Sequence, residues 1–362
     1  MSASGILSGV KIVEFDGLGP IPLCAMMLAD HGAEIVRIVR PGSPVTDNEV
    51  GGAILHRNRA SVELDLKSPS DRARALDLVA RADAALEGFR PGVMERLGLG
   101  PEACHARNPC LVYGRMTGWG QTGPLANRAG HDINYLAMSG ALALMGSPDR
   151  PPSPPLNLVA DYAGGTLFLA FGVIAGLLDV ARGGKGHVVD AAMCDAVPVL
   201  LSLMHALRAT GQWKDRRGAN LLDGGRPFYR CYKCKDGGFI AVGALEPQFF
   251  RLFMHGIGLD PGAFPQDDEA CWPVMTDAIA ARFREKTRDE WGLLFSDGDA
   301  CVSPVLGVDE AAQTLHAQAR GIFRRDGDRI EATRAPRFGN ETTVFEPPSR
   351  LGIDDALARW SQ

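Results

Sequence analysis

The amino-acid sequence predicts an α/β protein with a Rossmann-like large domain and a smaller α+β domain. The chain opens with a β-branched run at 10–15, a Gly- and Pro-rich turn, an apolar helical stretch at 23–30 and a second strand at 33–39. Strand, helix and strand in this order form the unit of doubly wound parallel sheets. Further strand and helix patterns follow as far as residue 190, where the composition changes.

A long loop and two helices follow the first strands of the predicted sheet. The segment 118–130 is rich in Gly, Pro, Gln and Asn, which predicts a loop. A helix is expected from near His131 to about Met145, and a second helix from Tyr162 through Val180. The remaining elements expected here are a strand at 61–66, a helix at about 70–81, and strands at 84–87, 111–116 and 187–190.

The change in composition after residue 190 predicts the domain boundaries. We expect a large domain at 1–190 and 315–362, a linker at 191–225 and a small domain at 226–314. The small domain begins with an alternating pattern whose turn is Asp236-Gly237-Gly238, which is typical of a β-hairpin. Cys231 and Cys234 form a CxxC in this hairpin. No second CxxC or HxxxH accompanies them, so ordinary strand cysteines are favoured over half a zinc site.

Composition narrows the class of protein. Of 362 residues 46% are hydrophobic and 22% charged, which is typical of a globular protein. The net charge of −5 argues against a general nucleic-acid partner. The first residues lack a secretory pattern, and the apolar run 167–178 is short of the ~20 residues that span a bilayer, which predicts a buried helix and no membrane span. Eight dispersed cysteines form no disulfide scaffold, so a reducing cytoplasm is expected.

The first turn does not fit a site for NAD. Gly17-Leu18-Gly19 is followed by Pro20, and the third glycine of the dinucleotide fingerprint is absent. An NAD enzyme places an acidic residue near the end of the second strand, whereas this chain has Arg40 there and Arg37 further inward. A cation suits a phosphorylated ribose, as in NADP or the 3′-phospho-ADP of coenzyme A. An arginine that merely caps the strand at the surface is the alternative.

Three side chains are candidates for acid–base chemistry. His131 lies where the long loop meets a helix, and Asp161 precedes the helix expected from Tyr162. Each alone is explained as a helix cap, but together they place two titratable groups at helix starts reached through Gly- and Pro-rich loops, where a doubly wound sheet binds its ligand. Glu246 follows an apolar strand at 239–244. It is either a solvated surface group or, in a cleft between domains, a group that orients a histidine.

Nine segments of the chain together match a known family. They are MLADHGAEIVRIVRPG, ELDLK, EGFRPGVMERLGLGP, RMTGWGQTGP, AGHDINYLAMSG, PLNLVADYAGG, GKGHVVDAAM, RGANLLDGG and VGALEPQFF. Through these segments the chain resembles, over essentially its full length, the α-methylacyl-CoA racemases of the class III CoA-transferase family. The resemblance implies that His131 and Asp161 are the acid–base pair, that Glu246 supports His131 from the small domain, and that the chain forms an intertwined homodimer.

The same resemblance implies a place for an acyl-CoA substrate. Arg40 is expected to meet the nucleotide phosphates. Two further groups of residues are expected to line the CoA channel and to receive the thioester end. These are Leu64, Asp65, Leu66, Lys67 and Arg90 in the channel, with Gly130, His131, Asp132, Ile133, Asn134 and Tyr135 at the thioester end.

The implied reaction interconverts (2R)- and (2S)-2-methylacyl-CoA by proton transfer through an enolate. No metal or redox cofactor is expected, and coenzyme A is part of the substrate. CoA transfer between carboxylic acids is the alternative, with Asp161 as the nucleophile that forms a mixed anhydride. Transfer does not require a base at His131, so the GHDINY segment favours racemisation.

Overall fold

The computed structural model describes residues 5–44, 51–339 and 345–361. The chain divides into two compact units. The first unit comprises Met1–Ala141, Pro154–Ser202 and Gly321–Gln362, and the second comprises Leu142–Ser153 and Leu203–Arg320. These boundaries differ from the expected ones, because 142–153 lies in the second unit and because the expected linker at 191–225 contains two helices.

The strands and helices are numbered along the chain. The strands are β1 Lys11–Phe15, β2 Glu34–Val39, β3 Ala60–Glu63, β4 Ala84–Glu87, β5 Val112–Thr117, β6 Val188–Ala192, β7 Tyr229–Lys233, β8 Phe239–Gly243, β9 Val302–Pro304, β10 Phe323–Asp326, β11 Arg329–Ala332 and β12 Ser349–Arg350. The α-helices are α1 Pro20–Asp30, α2 Gly52–Leu55, α3 Pro69–Val79, α4 Val93–Arg96, α5 Pro101–Arg107, α6 Asp132–Met138, α7 Leu167–Ala181, α8 Met193–Leu200, α9 Ser202–Ala209, α10 Pro247–Gly256, α11 Trp272–Phe283, α12 Arg288–Leu294, α13 Val308–Gln313, α14 Leu315–Arg320 and α15 Ile353–Arg359. A 3₁₀-helix at Leu142–Leu144 and a π-helix at Leu158–Thr166 complete them.

The first unit is built on a seven-stranded parallel sheet in the order β12-β3-β2-β1-β4-β5-β6. Apart from the added edge strand β12, this is the Rossmann order, which confirms the predicted α/β class. Val13 and Phe15 are fully buried and share a core with α3, α5 and α15. Helix α7 packs on β5 at Gly114, where a Cβ atom would come within 2.9 Å of Leu169. The glycine therefore permits the close approach of helix and sheet.

The long helix after the π-helix differs from the buried segment that the sequence predicts. The π-helix and α7 form one apolar stretch of 24 residues, Leu158–Ala181, long enough to cross a membrane by length and composition alone. Its inward face packs on β5 and β6, where Leu169 and Val173 are fully buried, so the helix belongs to the fold of this unit. Its outward face is exposed. The predicted helix from Tyr162 through Val180 is close to the observed extent, but the prediction that its apolar run is buried was wrong for the outward face.

The second unit contains the antiparallel sheet β7-β8-β9. Strands β7 and β8 pair as a hairpin with Cys231 opposite Ala241, which confirms the predicted hairpin. Cys231 lies in β7 and Cys234 directly follows it, as expected of strand cysteines. Within the described ranges, no group of His, Cys, Asp or Glu side chains is arranged to hold a metal ion.

Candidate active site

A cleft of about 990 Å³ opens at the carboxyl ends of the parallel strands in the first unit. This edge of an open α/β sheet is where such folds bind ligands. The cleft volume lies at the upper end of the range for small-molecule pockets. The residues that matter most along it are Asp16 and Leu18 after β1, Arg37 and Arg40 in and after β2, His56 between α2 and β3, Leu64, Asp65, Leu66 and Lys67 after β3, and Phe89 after β4.

Two arginines of this cleft differ in what they contact. Arg37 is buried, and its guanidinium donates hydrogen bonds to Asp16 Oδ1 at 2.6 and 3.0 Å. It also donates to Nδ1 of His56 at 3.2 Å. Burial, followed by the charges of Arg37 and Arg59, lowers the pKa of His56 to about 3, so its imidazole is neutral. Arg40 is exposed at the end of β2, so it is the arginine that a ligand reaches at the cleft rim.

The start of α1 lacks the usual features of a diphosphate site. Gly19 precedes the helix with φ of +74°, and Pro20 and Pro22 lie in the first turn. Proline has no N–H, so two of the donors that a helix start offers to phosphate are missing. The structure therefore agrees with the sequence in disfavouring a dinucleotide site here.

His131 is held at the start of α6 by the packing of Tyr135. The Tyr135 hydroxyl donates to the carbonyl oxygen of Gly130 at 2.6 Å, and its ring meets Trp119 edge to face at 4.8 Å between centroids. A Cβ atom at Gly118 would lie 2.0 Å from the Tyr135 ring, so this position requires glycine. The loop before His131 is thus fixed by one aromatic side chain. The His131 side chain remains exposed.

Helix α6 is shorter than the sequence predicts. It ends at Met138, and Gly140 follows with φ of +85° before the separate 3₁₀-helix. The expectation of one helix reaching Met145 was therefore wrong. The predicted start is correct, because His131 is the residue that precedes the helix.

Asp161 lies inside the first turn of the π-helix and does not precede a helix. The prediction that it marks a helix start at Tyr162 was wrong by one turn. The side chain is partly buried, and its Oδ2 would be 3.7 Å from a Cβ atom at Gly19, directly after the cleft residue Leu18. Burial raises the pKa of Asp161, and the charge of Asp132 adds to this, against a hydrogen bond from Asn157 and the charge of His131.

Asp132 connects the two candidate groups. Its carboxylate is buried, and Oδ2 accepts hydrogen bonds from the backbone N–H groups of Ala160 and Asp161, both at 2.9 Å. Asp132 directly follows His131 on the chain. The structure therefore brings His131 and Asp161 into one cluster, in which the charge of the histidine acts on the pKa of the aspartate.

The other sequence candidates fall into separate places. Arg40 and 64–67 line the cleft, whereas 130–135 surround His131. Arg90 is exposed and directly follows the cleft residue Phe89. Burial raises the pKa of Tyr135, and the charge of Arg90 has a smaller, opposite effect on it. Glu246 belongs to the second unit, where it precedes α10 and is exposed.

Asp16, His56 and Phe89 line the cleft but were not among the sequence candidates. Asp16 directly follows β1, and Phe89 lies two residues after β4. Their positions after β1 and β4 were a usable signal, since residues at the carboxyl ends of such strands face the ligand crevice. His56 offered no such signal, because it directly follows α2 and does not lie at the carboxyl end of a strand.

Comparison with known proteins adds to this geometry. The model of the family described as CoA-transferase family III matches residues 7–354. The chain belongs to this family. It is 45% identical over 94% of its length to an alpha-methylacyl-CoA racemase of Mus musculus, 88% of which is covered. It is 46% identical over 88% of its length to the human protein of the same name, 82% of which is covered.

Solved structures agree with the observed fold. The crystal structure of a CAIB/BAIF family protein from Brucella suis superposes with a TM-score of 0.80 at 25% identity, and 99% of each chain is covered. The architecture described above is thus that of this family.

Proposed function

We propose that this chain is an α-methylacyl-CoA racemase, which interconverts (2R)- and (2S)-2-methylacyl-CoA thioesters. The observation that carries the proposal is the cluster of His131 and Asp161 next to a nucleotide-sized cleft with Arg40 at its rim. Identity of about 45% to proteins named as racemases supports it.

The cleft suits the nucleotide end of coenzyme A. Arg40 is placed to meet the phosphates, and Leu64, Leu66 and Phe89 offer apolar surface along the same cleft. Asp16 is already occupied by Arg37, so its charge does not repel an anion as strongly as a free carboxylate would. Arg90 and the segment 130–135 would lie toward the thioester, where the cluster around His131 begins.

The chemistry follows from the acidity of the substrate. A hydrogen α to a thioester is only weakly acidic, so a base must remove it while the enolate oxygen is stabilised. His131 takes the proton from one face, and protonated Asp161 returns a proton to the other face. The reverse reaction exchanges these roles. The raised pKa of Asp161 favours the protonated form that the forward step requires.

The stabilising donors would come from the start of α6. The first N–H groups of a helix have no partner within it, and those near Asp132 lie next to His131. A donor aimed at a developing oxyanion contributes about 3 kcal/mol to catalysis. Glu246 is proposed to support His131 by orienting its imidazole, as the family resemblance implies.

Isotope exchange separates racemisation from CoA transfer. The protein is incubated in deuterated water with pure (2R)- or (2S)-2-methylacyl-CoA, and α-deuterium uptake and the ratio of epimers are followed. We expect both epimers to take up deuterium and to interconvert. An absence of exchange, together with CoA appearing on an added carboxylic acid, would establish the transferase alternative that the family name includes.

Variants test the assignment of the two bases. His131→Ala and Asp161→Ala are each expected to stop interconversion of the epimers. Asp149→Ala, an exposed aspartate of the second unit, serves as the control and should leave the rate unchanged. Full interconversion in either active-site variant refutes the two-base mechanism.

The exposed face of α7 supports a homodimer, which we propose in the intertwined form typical of the family. Leu167, Phe171, Ile174 and Leu178 are exposed at spacings of four, three and four residues, which places them in one stripe along the helix. Phe171 is 75% exposed. A continuous apolar stripe on a single chain marks an interaction surface, and a second copy of this chain would cover it.

The proposed reaction needs no redox cofactor, because it moves a proton and no net electrons, and the proposed mechanism assigns stabilisation of the enolate to backbone N–H donors and not to a metal ion. Coenzyme A enters and leaves as part of the substrate. All eight cysteines are free thiols, which supports our proposal of a reducing compartment such as the cytoplasm.

A further inference from the structure

Asp132 makes an unusual pair of hydrogen bonds. The first N–H groups of the π-helix lack acceptors within that helix, and a residue just before a helix commonly accepts them. Here the local residue Asn157 makes no such side-chain bond. Asp132 instead reaches over from α6 and accepts from Ala160 and Asp161, 28 and 29 residues further along the chain.

We propose that Asp132 is a positioning residue for proton transfer, because it fixes the backbone of Asp161 relative to His131. The inference rests on the racemase function proposed above. His131 and Asp132 are neighbours on one helix start, and Asp132 holds the N–H of Asp161 itself. The two bases are thereby joined through a single buried carboxylate. A displacement of about 1 Å in such an arrangement lowers a reaction rate by about 100-fold.

The charge of Asp132 acts on the same residue. Its second oxygen, Oδ1, is buried and has no hydrogen-bond partner among the described residues, so the negative charge is only partly compensated. That charge raises the pKa of Asp161 in addition to burial. The other groups that act on the Asp161 carboxyl are Asn157 and His131, which lower its pKa. Tyr135 lies near enough to feel the charge of Asp161.

Two substitutions separate the role of the acceptor from the role of the charge. Asp132→Ala removes both. Asp132→Asn retains an oxygen that accepts from the two N–H groups and removes only the charge. Asp83→Ala is the matched control, since the Asp83 carboxylate also accepts a backbone N–H, that of Lys11, at 2.7 Å on another part of the sheet.

The decisive measurement compares the two epimers in deuterated water. In Asp132→Ala we expect racemisation to fall about 100-fold. Deuterium uptake with retention, by the epimer whose α-hydrogen faces His131, should fall less than about tenfold, because His131 keeps its place on α6. In Asp83→Ala racemisation and uptake by both epimers should match the unsubstituted protein.

The pH profile provides the second readout and serves if Asp132→Ala does not fold. In Asp132→Asn the loss of a negative charge lowers the pKa of Asp161. The limb of the kcat profile that depends on Asp161 should therefore move to lower pH, with kcat at the optimum within about tenfold of the original.

Each contrary result has a distinct meaning. Equal loss of exchange by both epimers in Asp132→Ala, with an unshifted limb in Asp132→Asn, would show a general structural role and overturn the inference. Unchanged racemisation in Asp132→Ala would overturn it as well, while the racemase function stands. An absence of exchange in the unsubstituted protein overturns the function itself, and this inference with it.

Discussion

At the scale of single residues, neighbouring charges act on the pKa of Asp161 with opposite signs. Asp161 is partly withdrawn from water and close to Asp132, and both effects favour its protonated form. His131 opposes them. Arg40 extends into water, whereas Arg37 is neutralised by Asp16. Arg40 is thus the more accessible of these two arginines.

The raised pKa of Asp161 predicts a pH-dependent cost to folding. The folded protein binds a proton on Asp161 more tightly than the unfolded chain does, so between the two pKa values stability falls as pH rises. Asp161→Asn avoids this loss. We expect the variant to melt at a higher temperature than the original at pH 7 and at the same temperature near pH 3, measured by scanning calorimetry. A lower melting temperature at pH 7 contradicts the raised pKa.

Arg40 predicts discrimination between CoA and its dephosphorylated form. If Arg40 meets the 3′-phosphate, Arg40→Ala should raise the Kd of CoA about tenfold, as expected for the loss of one exposed charged contact. The Kd of 3′-dephospho-CoA should stay within about twofold. Titration calorimetry measures both, and Arg81→Ala is the control, an exposed arginine beyond α3. Equal weakening of both ligands would place the 3′-phosphate elsewhere.

The sequence indicated His131, Asp161 and Arg40 through their positions beside turns and strand ends. It gave no signal for the action of Asp132 on Asp161. That action depends on a contact between residues almost thirty positions apart, which appears only when the two helices pack. Ile21 illustrates the same limit: it is fully buried next to Gly88, a contact that no local pattern specifies.

At the scale of elements, the parallel strands were the most predictable feature. Strand β4 has the predicted bounds, and β1 and β2 differ from them by one residue at their starts. Strands buried on both faces are nearly continuous apolar runs, which the sequence displays directly. Strand β3 ends three residues earlier than predicted. The apolar residues Leu64 and Leu66, which suggested a longer strand, follow it and line the cleft.

The π-helix was not predictable from local pattern. Its wide turns depend on close packing of two glycines: a Cβ atom at Gly164 would come within 3.3 Å of Val197, and one at Gly165 within 3.1 Å of Pro20. It also depends on the bonds that Asp132 supplies to its first turn. These are tertiary contacts, whereas the sequence displays only an aspartate before small residues.

The loop before His131 predicts a graded response to substitution. Tyr135→Phe removes only the bond to Gly130 and should lower the free energy of unfolding by about 1 kcal/mol. Gly118→Ala forces the ring or the backbone to move and should cost about 1–3 kcal/mol. Both free energies are measured by urea unfolding. Gly123→Ala does not serve as a control, because the φ of Gly123 is +94° and a side chain there would itself strain the backbone. A cost for Gly118→Ala below that of Tyr135→Phe would contradict this packing.

At the scale of the whole molecule, the chain forms two units with separate cores. The first contains the cleft, His131 and Asp161, and the second contains Glu246. The sequence predicted two domains but placed 142–153 in the large one. The segment comes three residues after α6 and ends within a cluster of prolines, and its membership of the second unit depends on contacts that are distant in the sequence.

The exposed stripe on α7 predicts a dimer that one charge disrupts. Phe171→Asp should shift the mass in light scattering toward that of a single chain of 38.7 kDa. Phe171→Leu keeps the surface apolar and should remain dimeric, which controls for a general loss of fold. A single-chain mass for the unsubstituted protein would contradict the proposed homodimer.

The two prolines at the start of α1 have a consequence for selective inhibition. Compounds built to imitate a dinucleotide anchor their diphosphate on the N–H groups of this turn in many Rossmann enzymes. Pro20 and Pro22 offer no such anchor. Screening collections biased toward dinucleotide mimics should therefore yield few compounds against this protein. Anionic compounds that reach Arg40 from the rim should distinguish it from the far more numerous dehydrogenases that share its strand order.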